Sequence, residues 1–345
     1  MDGPNGVSPR HAPHHAHGAQ PVWRTLAHRH AKRVDLNLMA QSANFVQLHN
    51  HTHYSLLDGA SKIPDLVRCT KDLGMPAVGI ADHGNMHGAY ELWSEAVKQG
   101  VKPILGIEAY VTPETARGDK SRVHWGTEAQ RSDDVSGGGL YTHLTLWAES
   151  DEGLVNLTKA SSVANLEGRV MRYPRMDKDV LATYSKGVIC GSGCPSGIVQ
   201  TRLRLGQFDE ALRAAGELQD IYGKENFYIE LMDHGLEIER RVTNDLLDIA
   251  KRLGAPLLAT NDSHYVHKED AGAQDAMLCI NSGSKLDEPG RFKFDGEGYY
   301  MRSAEEMREL FRDLPEACDN TLEVAERCSV MFDDHEDGAF MPQFP

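Results

Sequence analysis

Phe45-Val-Gln-Leu-His-Asn-His-Thr-His-Tyr-Ser-Leu-Leu-Asp-Gly59 is the stretch that organises the chain. Its first half alternates as a strand does, so residues two apart point to one face. His49 and His51 therefore sit side by side where the chain leaves the sheet. Imidazole is the commonest metal-ligating side chain, and two on one edge need little further ordering to chelate. Asp58 follows within loop reach. Taken alone, the stretch also fits a histidine-rich loop with no ligand role, and the rest of the chain weighs against that.

Outward from this stretch, short apolar segments alternate with helical patterns. Strands are expected at 45–49, 77–82, 103–111, 141–147, 187–191, 226–233 and 256–262. A helix is expected from Ser61 as N-cap, with Pro64 in its first turn, to Gly74. Others fall at 86–99, 151–165, 196–222 (broken near Gly206) and 238–253. Repeated strand–helix units predict a parallel sheet covered by helices, and seven strands favour a closed barrel. Residues 113–139, with Ser136-Gly-Gly-Gly139, read as a long polar loop, a length usual for lids and mobile binding segments. Beyond about 285 the units stop, and helices near 303–312 and 315–328 precede an irregular end at Met341–Pro345. The expected division is a disordered His-rich leader over 1–43, a barrel over 44–284, and a helical extension over 285–345.

The formal charge of the 345 residues is −15. Residues 1–40 hold five Lys/Arg against two Asp/Glu, a local +3, so the remainder sits near −18. Such a surface is poorly suited to holding duplex DNA unaided, because that affinity comes largely from cations on phosphates. Metal ions in a pocket can invert the local field. No apolar run reaches the roughly 20 residues that span a bilayer, and no secretory signal opens the chain. The six cysteines lack tight disulfide spacing. A reduced, cytoplasmic setting with no membrane partner is the expectation.

Polar residues gather at the expected strand ends. Asp82-His83-Gly84 closes the second strand, Glu108 lies in the apolar third, and His143 interrupts the fourth. Cys190 and Cys194 bracket the end of the fifth, and Asp262 and His264, again two apart, close the seventh. Each has an ordinary explanation: a satisfied core histidine, a solvent-facing carboxylate, a helix cap. Those explanations would have to hold independently at six strand ends. Imidazole, carboxylate and thiolate together suit Zn²⁺, Mn²⁺ or Fe²⁺ better than Ca²⁺ or Mg²⁺. The candidates are too many for one ion, so two or three divalent transition metals are expected, a common arrangement for phosphoester hydrolysis. No Walker-type loop and no Gly-x-Ser-x-Gly elbow is present.

Leu48-His-Asn-His-Thr, Tyr54-Ser-Leu-Leu-Asp-Gly59, Ile80-Ala-Asp-His-Gly84, Gly106-Ile-Glu108, Gly193-Cys-Pro-Ser-Gly197 and Thr260-Asn-Asp-Ser-His-Tyr265 resemble successive motifs of the polymerase and histidinol phosphatase (PHP) family. More narrowly, the chain is similar to the PHP domains of bacterial C-family replicative polymerases, the DNA polymerase III alpha subunits. Tyr299-Tyr300, Ser303–Met307, Leu310-Phe311, Pro315–Ala317, Asn320-Thr321 and Ala325–Cys328 resemble the segment leading to the polymerase palm.

The resemblance implies a distorted seven-stranded (β/α) barrel with a trinuclear metal centre. It implies His49, His51, Glu108 and Asp262 around one metal. Glu108 would bridge to a second, held also by His143 and Cys194, and Asp58, His83 and His264 would hold a third. Cys194 is then the ligand and Cys190 a strand residue, which spacing alone leaves open. His53 departs from the relatives' pattern and is expected to be a loop side chain. With all nine positions filled, the implied activity is a metal-dependent 3′–5′ exonuclease that proofreads, with Asp58, Glu108 and Asp262 as its catalytic carboxylates. The implied partners are a DNA primer 3′ end, the remainder of the polymerase alpha subunit and replisome subunits such as the sliding clamp. The polymerase aspartates are expected beyond this chain's end. The alternatives are a metal-braced, non-catalytic domain and a histidinol-phosphate-type phosphatase.

Overall fold

In the computed structural model, residues 44–332 are described, apart from residue 57 and residues 134–136. The expected leader and the expected irregular end at Met341–Pro345 lie outside the described residues. The strands are β1 (Ala77–Gly79), β2 (Asp82–His83), β3 (Lys102–Ile104), β4 (Gly106–Val111), β5 (Thr142–Ala148), β6 (Arg175–Met176), β7 (Val188–Gly191), β8 (Phe227–Leu231) and β9 (Leu257–Ala259). The helices are α1 (Ile63–Asp72), α2 (Ala89–Gln99), α3 (Asp151–Glu167), α4 (Lys178–Thr183), α5 (Ile198–Arg204), α6 (Phe208–Tyr222), α7 (Glu237–Leu253), α8 (Ala271–Ser282), α9 (Ala304–Leu310) and α10 (Pro315–Arg327). None of the described helices is long and apolar enough to cross a membrane.

The architecture is α/β, as expected, but the described strands close no barrel. Seven of them form one sheet in the order β2-β4-β5-β7-β8-β9, with β6 also on β4, and β1 and β3 pair separately. The expected strand at 45–49 is extended chain with isolated bridges from Gln47 to Val78 and Asn50 to Ser263. It is nonetheless held from both sides. Gly79 N–H donates to the Gln47 carbonyl and Ser263 N–H to the His49 carbonyl. Gly79 permits this approach, since a Cβ there would stand 2.6 Å from the Leu48 carbonyl oxygen.

The sheet is also not wholly parallel. β5 runs antiparallel to both β4 and β7, placing Glu108 opposite Thr145 and Tyr110 opposite His143. A parallel return needs a crossover of a dozen or more residues, usually through a helix. Among its described residues the β4–β5 connection holds only 3₁₀ turns, at Glu128–Asp133 and Gly137–Gly139, and the chain doubles back.

Period-two alternation then sorts each strand by face. Trp147, Tyr228, Ile189 and Leu258 pack with Val46, Leu48 and Val324 in one apolar cluster. Residues two along on the same faces are Thr145, Glu230 and Thr260, all buried and polar. The inner face of the sheet thus passes from apolar floor to polar site. Because β5 runs the other way, His143 reaches the site from that strand's beginning, where the parallel strands use their ends.

The helices cover the outer face through ordinary amphipathic stripes. In α1, Ile63, Leu66, Val67 and Thr70 are buried at helical spacing. Its N-cap is Lys62 and not Ser61, which instead bridges Thr52. Ser150 caps α3 by accepting from Gly153 N–H, and Asp177 caps α4 by accepting from Val180 N–H. Loss of either cap would cost about 1 kcal/mol. The expected break near Gly206 separates α5 from α6, with Gly206 at a left-handed φ of 71°.

The segment after 284 packs onto the sheet. Thr321 Oγ1 accepts from Val46 N–H, and Asn320 donates to the Leu257 carbonyl. Arg327 pairs with Glu149 at 2.9 Å.

Candidate metal centre

Strand ends and the loop after residue 49 bring all nine predicted residues into one cluster. His49 Nε2 lies 3.5 Å from Glu108 Oε1 and 3.4 Å from Asp262 Oδ1. His51 Nε2 lies 3.0 Å from the same Asp262 oxygen and 3.8 Å from Glu108 Oε2. Glu108 Oε2 is also 2.7 Å from His83 Nδ1 and 2.9 Å from His143 Nδ1. Cys194 Sγ is 3.4 Å from His143 Nδ1, and Asp58 Oδ2 is 3.1 Å from His83 Nε2. The His264 ring stacks on His51 at 4.2 Å.

Three sets of ligand atoms lie close enough to share an ion: His49, His51 and Glu108; His83, Glu108 and His143; and His51, His83 and His264. Glu108 therefore stands between the first two sets, and His83 between the second and third. Cys190 is elsewhere, buried in the outer core. His53 is also outside these sets, 3.9 Å from Glu91 and 40% exposed at its side chain.

The donor atoms fit bound metal. Among the described residues, His49 Nε2, His51 Nε2, His264 Nε2, His83 Nδ1, Asp58 Oδ1, Asp262 Oδ1 and both Glu108 oxygens are buried without a hydrogen-bond partner. One such orphan costs about 1–3 kcal/mol, more when charged. A concentration of them on one point is explained if lone pairs there face cations. The other nitrogens of three histidines are engaged. His49 Nδ1 meets Glu230 at 2.7 Å, His51 Nδ1 meets Ser55 Oγ at 2.9 Å, and His264 Nδ1 meets the Asp262 carbonyl at 2.8 Å. Such partners fix the ring and tautomer of a ligating histidine.

Electrostatics agree. Burial would depress the His49 imidazole, yet Asp262, Glu230 and Glu108 outweigh it and hold its pKa well above the ordinary value. His83 is likewise raised, with Asp58 and Glu108 outweighing burial. His51 is pushed down to about 3 by burial and by the neighbouring His83 and His264. Burial opposes ionisation of Asp262 and Glu108, but the surrounding imidazoles hold both carboxyls well below their usual range. Burial, Glu108 and Asp262 push the Cys194 thiol up. A metal bound here would replace protons that the surrounding carboxylates favour on His49 and His83.

Asp262 adopts φ 45°, a left-handed conformation that a non-glycine residue holds only under constraint. The turn is fixed by Asn261, whose amide donates to the Gly298 and Tyr300 carbonyls. The centre opens into a cleft of about 950 Å³.

The PHP domain model matches residues 47–234, more than half of the chain. The chain belongs to the PHP domain family. DNA polymerase III subunit alpha of Mycobacterium tuberculosis is 52% identical to it over 304 residues, covering 88% of this chain and 26% of that protein. The Saccharopolyspora erythraea subunit is 54% identical over 291 residues, covering 82% and 24%, and that of Borreliella burgdorferi is 41% identical over 290 residues, covering 84% and 24%. The chain thus spans about a quarter of the length of these relatives.

Some residues of this PHP site are not evident from the motifs. Fully buried Glu230 accepts from Thr260 Oγ1 at 2.8 Å and from Gly193 N–H at 3.1 Å while facing His49. A carboxylate inside the apolar run Phe227–Leu231 is the signal that could have found it. The expected strand at 77–82 is split, so that Asp82 opens β2 instead of ending a strand; it caps no helix and holds the histidine loop. It accepts from Thr52 N–H and from the hydroxyls of Thr52 and Ser55. Arg175, buried without a carboxylate partner among the described residues, donates to the carbonyls of Gly168, Leu140, Arg117 and Asp119. It pins both ends of the long β4–β5 connection, the expected long polar loop.

Proposed function

We propose that this PHP domain is a metal-dependent phosphodiesterase that removes nucleotides from the 3′ end of a DNA strand, proofreading for an attached DNA polymerase III alpha subunit. The observation that carries the reading is the set of buried ligand atoms that make no hydrogen bond and face one another at the floor of a cleft. Two or three Zn, Mn or Fe ions, when bound, would supply a more acidic water and positive charge for the phosphoryl oxygens.

The chain's own groups divide the remaining work. His49, His51, Glu108 and Asp262 would hold one ion; Glu108, His143 and Cys194 a second; Asp58, His83 and His264 a third. Glu230 and Ser55 orient the first two imidazoles. Asp58, 19% exposed and 3.1 Å from His83 Nε2, is placed to receive a proton at the cleft side of the cluster. The buried inner sheet keeps bulk water behind the ligands away. The primer 3′ end, the remainder of the alpha subunit and replisome components such as the sliding clamp are the partners this reading implies.

The test is digestion of single strands labelled at either end, alongside elemental analysis of the same preparation. Loss of label from the 3′ end first, with two or more transition-metal ions per chain, is expected. Ions retained with both ends intact would leave the domain a structural role only.

A further inference from the structure

Two groups of aromatic side chains flank the histidine cluster, and no ligand role accounts for them. On one side, Tyr110 contacts both His83 and His143, while Tyr141 and Tyr173 pack against Tyr110 and each other at 4.5–5.2 Å. Arg172 lies over the Tyr173 ring at 5.3 Å. On the other side, Phe294 sits edge-on to His264 at 4.7 Å, and Phe292 lies 6.0 Å beyond it. Phe292 is 61% exposed, and Lys293 between the two is exposed as well. The Arg291–Asp275 pair, at 2.5 Å, fastens this second group to α8.

Both groups line the cleft that opens from the cluster. Among the exposed charges of its lining, cations outnumber acids, the reverse of the chain's 51 Asp/Glu to 36 Lys/Arg. Arg169, Arg172 and Lys293 are its cations, all exposed. Of its described carboxylates, Asp58 and Asp262 face the histidines and Glu239 is bound to His234 at 2.6 Å. Asp295 alone remains as an exposed acid of the lining.

Rings lining a cleft, Phe292 exposed and Phe294, Tyr141 and Tyr173 half-buried, interleaved with cations, are what unpaired nucleotides require: a face for each base and a charge for each phosphate. A duplex keeps its bases stacked within and offers no such faces. We infer that Phe292, Lys293 and Phe294, together with Tyr141, Tyr173 and Arg172, form a single-strand clamp that stacks the last unpaired bases and leads their phosphates to the metal cluster. This rests on the nuclease reading for its substrate and adds the means of recognition. An annealed 3′ end reaches the cluster only by fraying, so mismatched ends enter more readily.

The experiment separates recognition from cutting. A fluorescent oligothymidylate with hydrolysis-resistant phosphorothioate linkages at its 3′ end is titrated with the metal-loaded full chain, with Phe292→Ala, and with Lys293→Gln. Both substitutions are at exposed positions, and elemental analysis confirms that each variant keeps its metal. Phe292→Ala should weaken binding about tenfold. Lys293→Gln should reduce the slope of log affinity against log salt by about 0.7. The blunt duplex of the same strand should bind markedly more weakly than the single strand. Unchanged affinity in Phe292→Ala, or equal binding of duplex, would overturn the clamp. Digestion of an unprotected single strand is measured in parallel. Its absence with the binding pattern intact would refute the nuclease reading and leave the clamp standing.

Discussion

Glu230 Oε1 stands 2.7 Å from His49 Nδ1, and neither side chain is exposed. Through its other contacts the same carboxylate holds Gly193, next to Cys194, and Thr260, two residues before Asp262. One buried group thus ties together three chain segments that each bring a proposed ligand. Glu230→Gln keeps the shape but withdraws the charge that raises the basicity of His49. Metal affinity should fall about 10- to 100-fold, read by competition with a colorimetric chelator. Glu230→Ala should in addition cost several kcal/mol, because it strands buried partners on all three segments. Equal metal affinity in the wild-type chain and Glu230→Gln would show that the pair does not orient a ligand.

The pH dependence follows from His49 and His83, both raised by neighbouring carboxylates. Their folded pKa values exceed the unfolded value near 6.5. The stability they lend the metal-free protein is therefore complete below about pH 6.5 and is lost as pH rises through the folded values. A metal displaces those same protons. Chelated protein should melt at lower temperature as pH rises above 6.5, while the metal-loaded protein gains. Titration calorimetry in buffers of different ionisation heat should show proton release near neutral pH. Metal uptake with no proton released would contradict the arrangement of charges described above.

Arg175 gives a prediction about the β4–β5 connection. Its fork reaches four carbonyls, three of them, Arg117, Asp119 and Leu140, in that connection. Arg175→Lys keeps the charge but cannot span that set. The expected cost is about 3 kcal/mol, with faster amide exchange over residues 117–123. Protection unchanged in that segment would mean that the loop is held by other contacts.

What the sequence discloses divides along physical lines. Glu108 and His143 are legible because a charged or titratable group in an apolar strand needs a reason. Asp262 and His264 are legible because two such residues, two apart, share a face. The direction of β5 is not, since alternation reads the same both ways along a strand and the only clue is a connection without a helix. β2 and β6, two residues each, are too short to have a period. Residues 45–50 read as a strand from their sequence pattern, yet all six are buried and they make single bridges rather than a ladder, and the expected closed barrel fails at that point. Glu230 has no motif around it, and its role depends on three partners distant in sequence.

Asp262 offers the sharpest separation of enzyme from scaffold. Its φ of 45° is one that asparagine tolerates as readily as aspartate, so Asp262→Asn brings no new backbone strain. The substitution removes the anionic oxygen that faces His49 and His51 at 3.4 and 3.0 Å. Under the hydrolase reading, digestion of a 3′ end should fall by orders of magnitude with circular dichroism unchanged, because an ion is lost or its water becomes less acidic. Asp58→Asn tests the other end of the cluster, where the carboxylate faces His83. A purely structural centre would respond differently. Both variants would then lose thermal stability, while any trace of nuclease persisted at its original level, as a contaminant's would. Full 3′–5′ digestion by both variants would remove these carboxylates from the chemistry and the proposed activity with them.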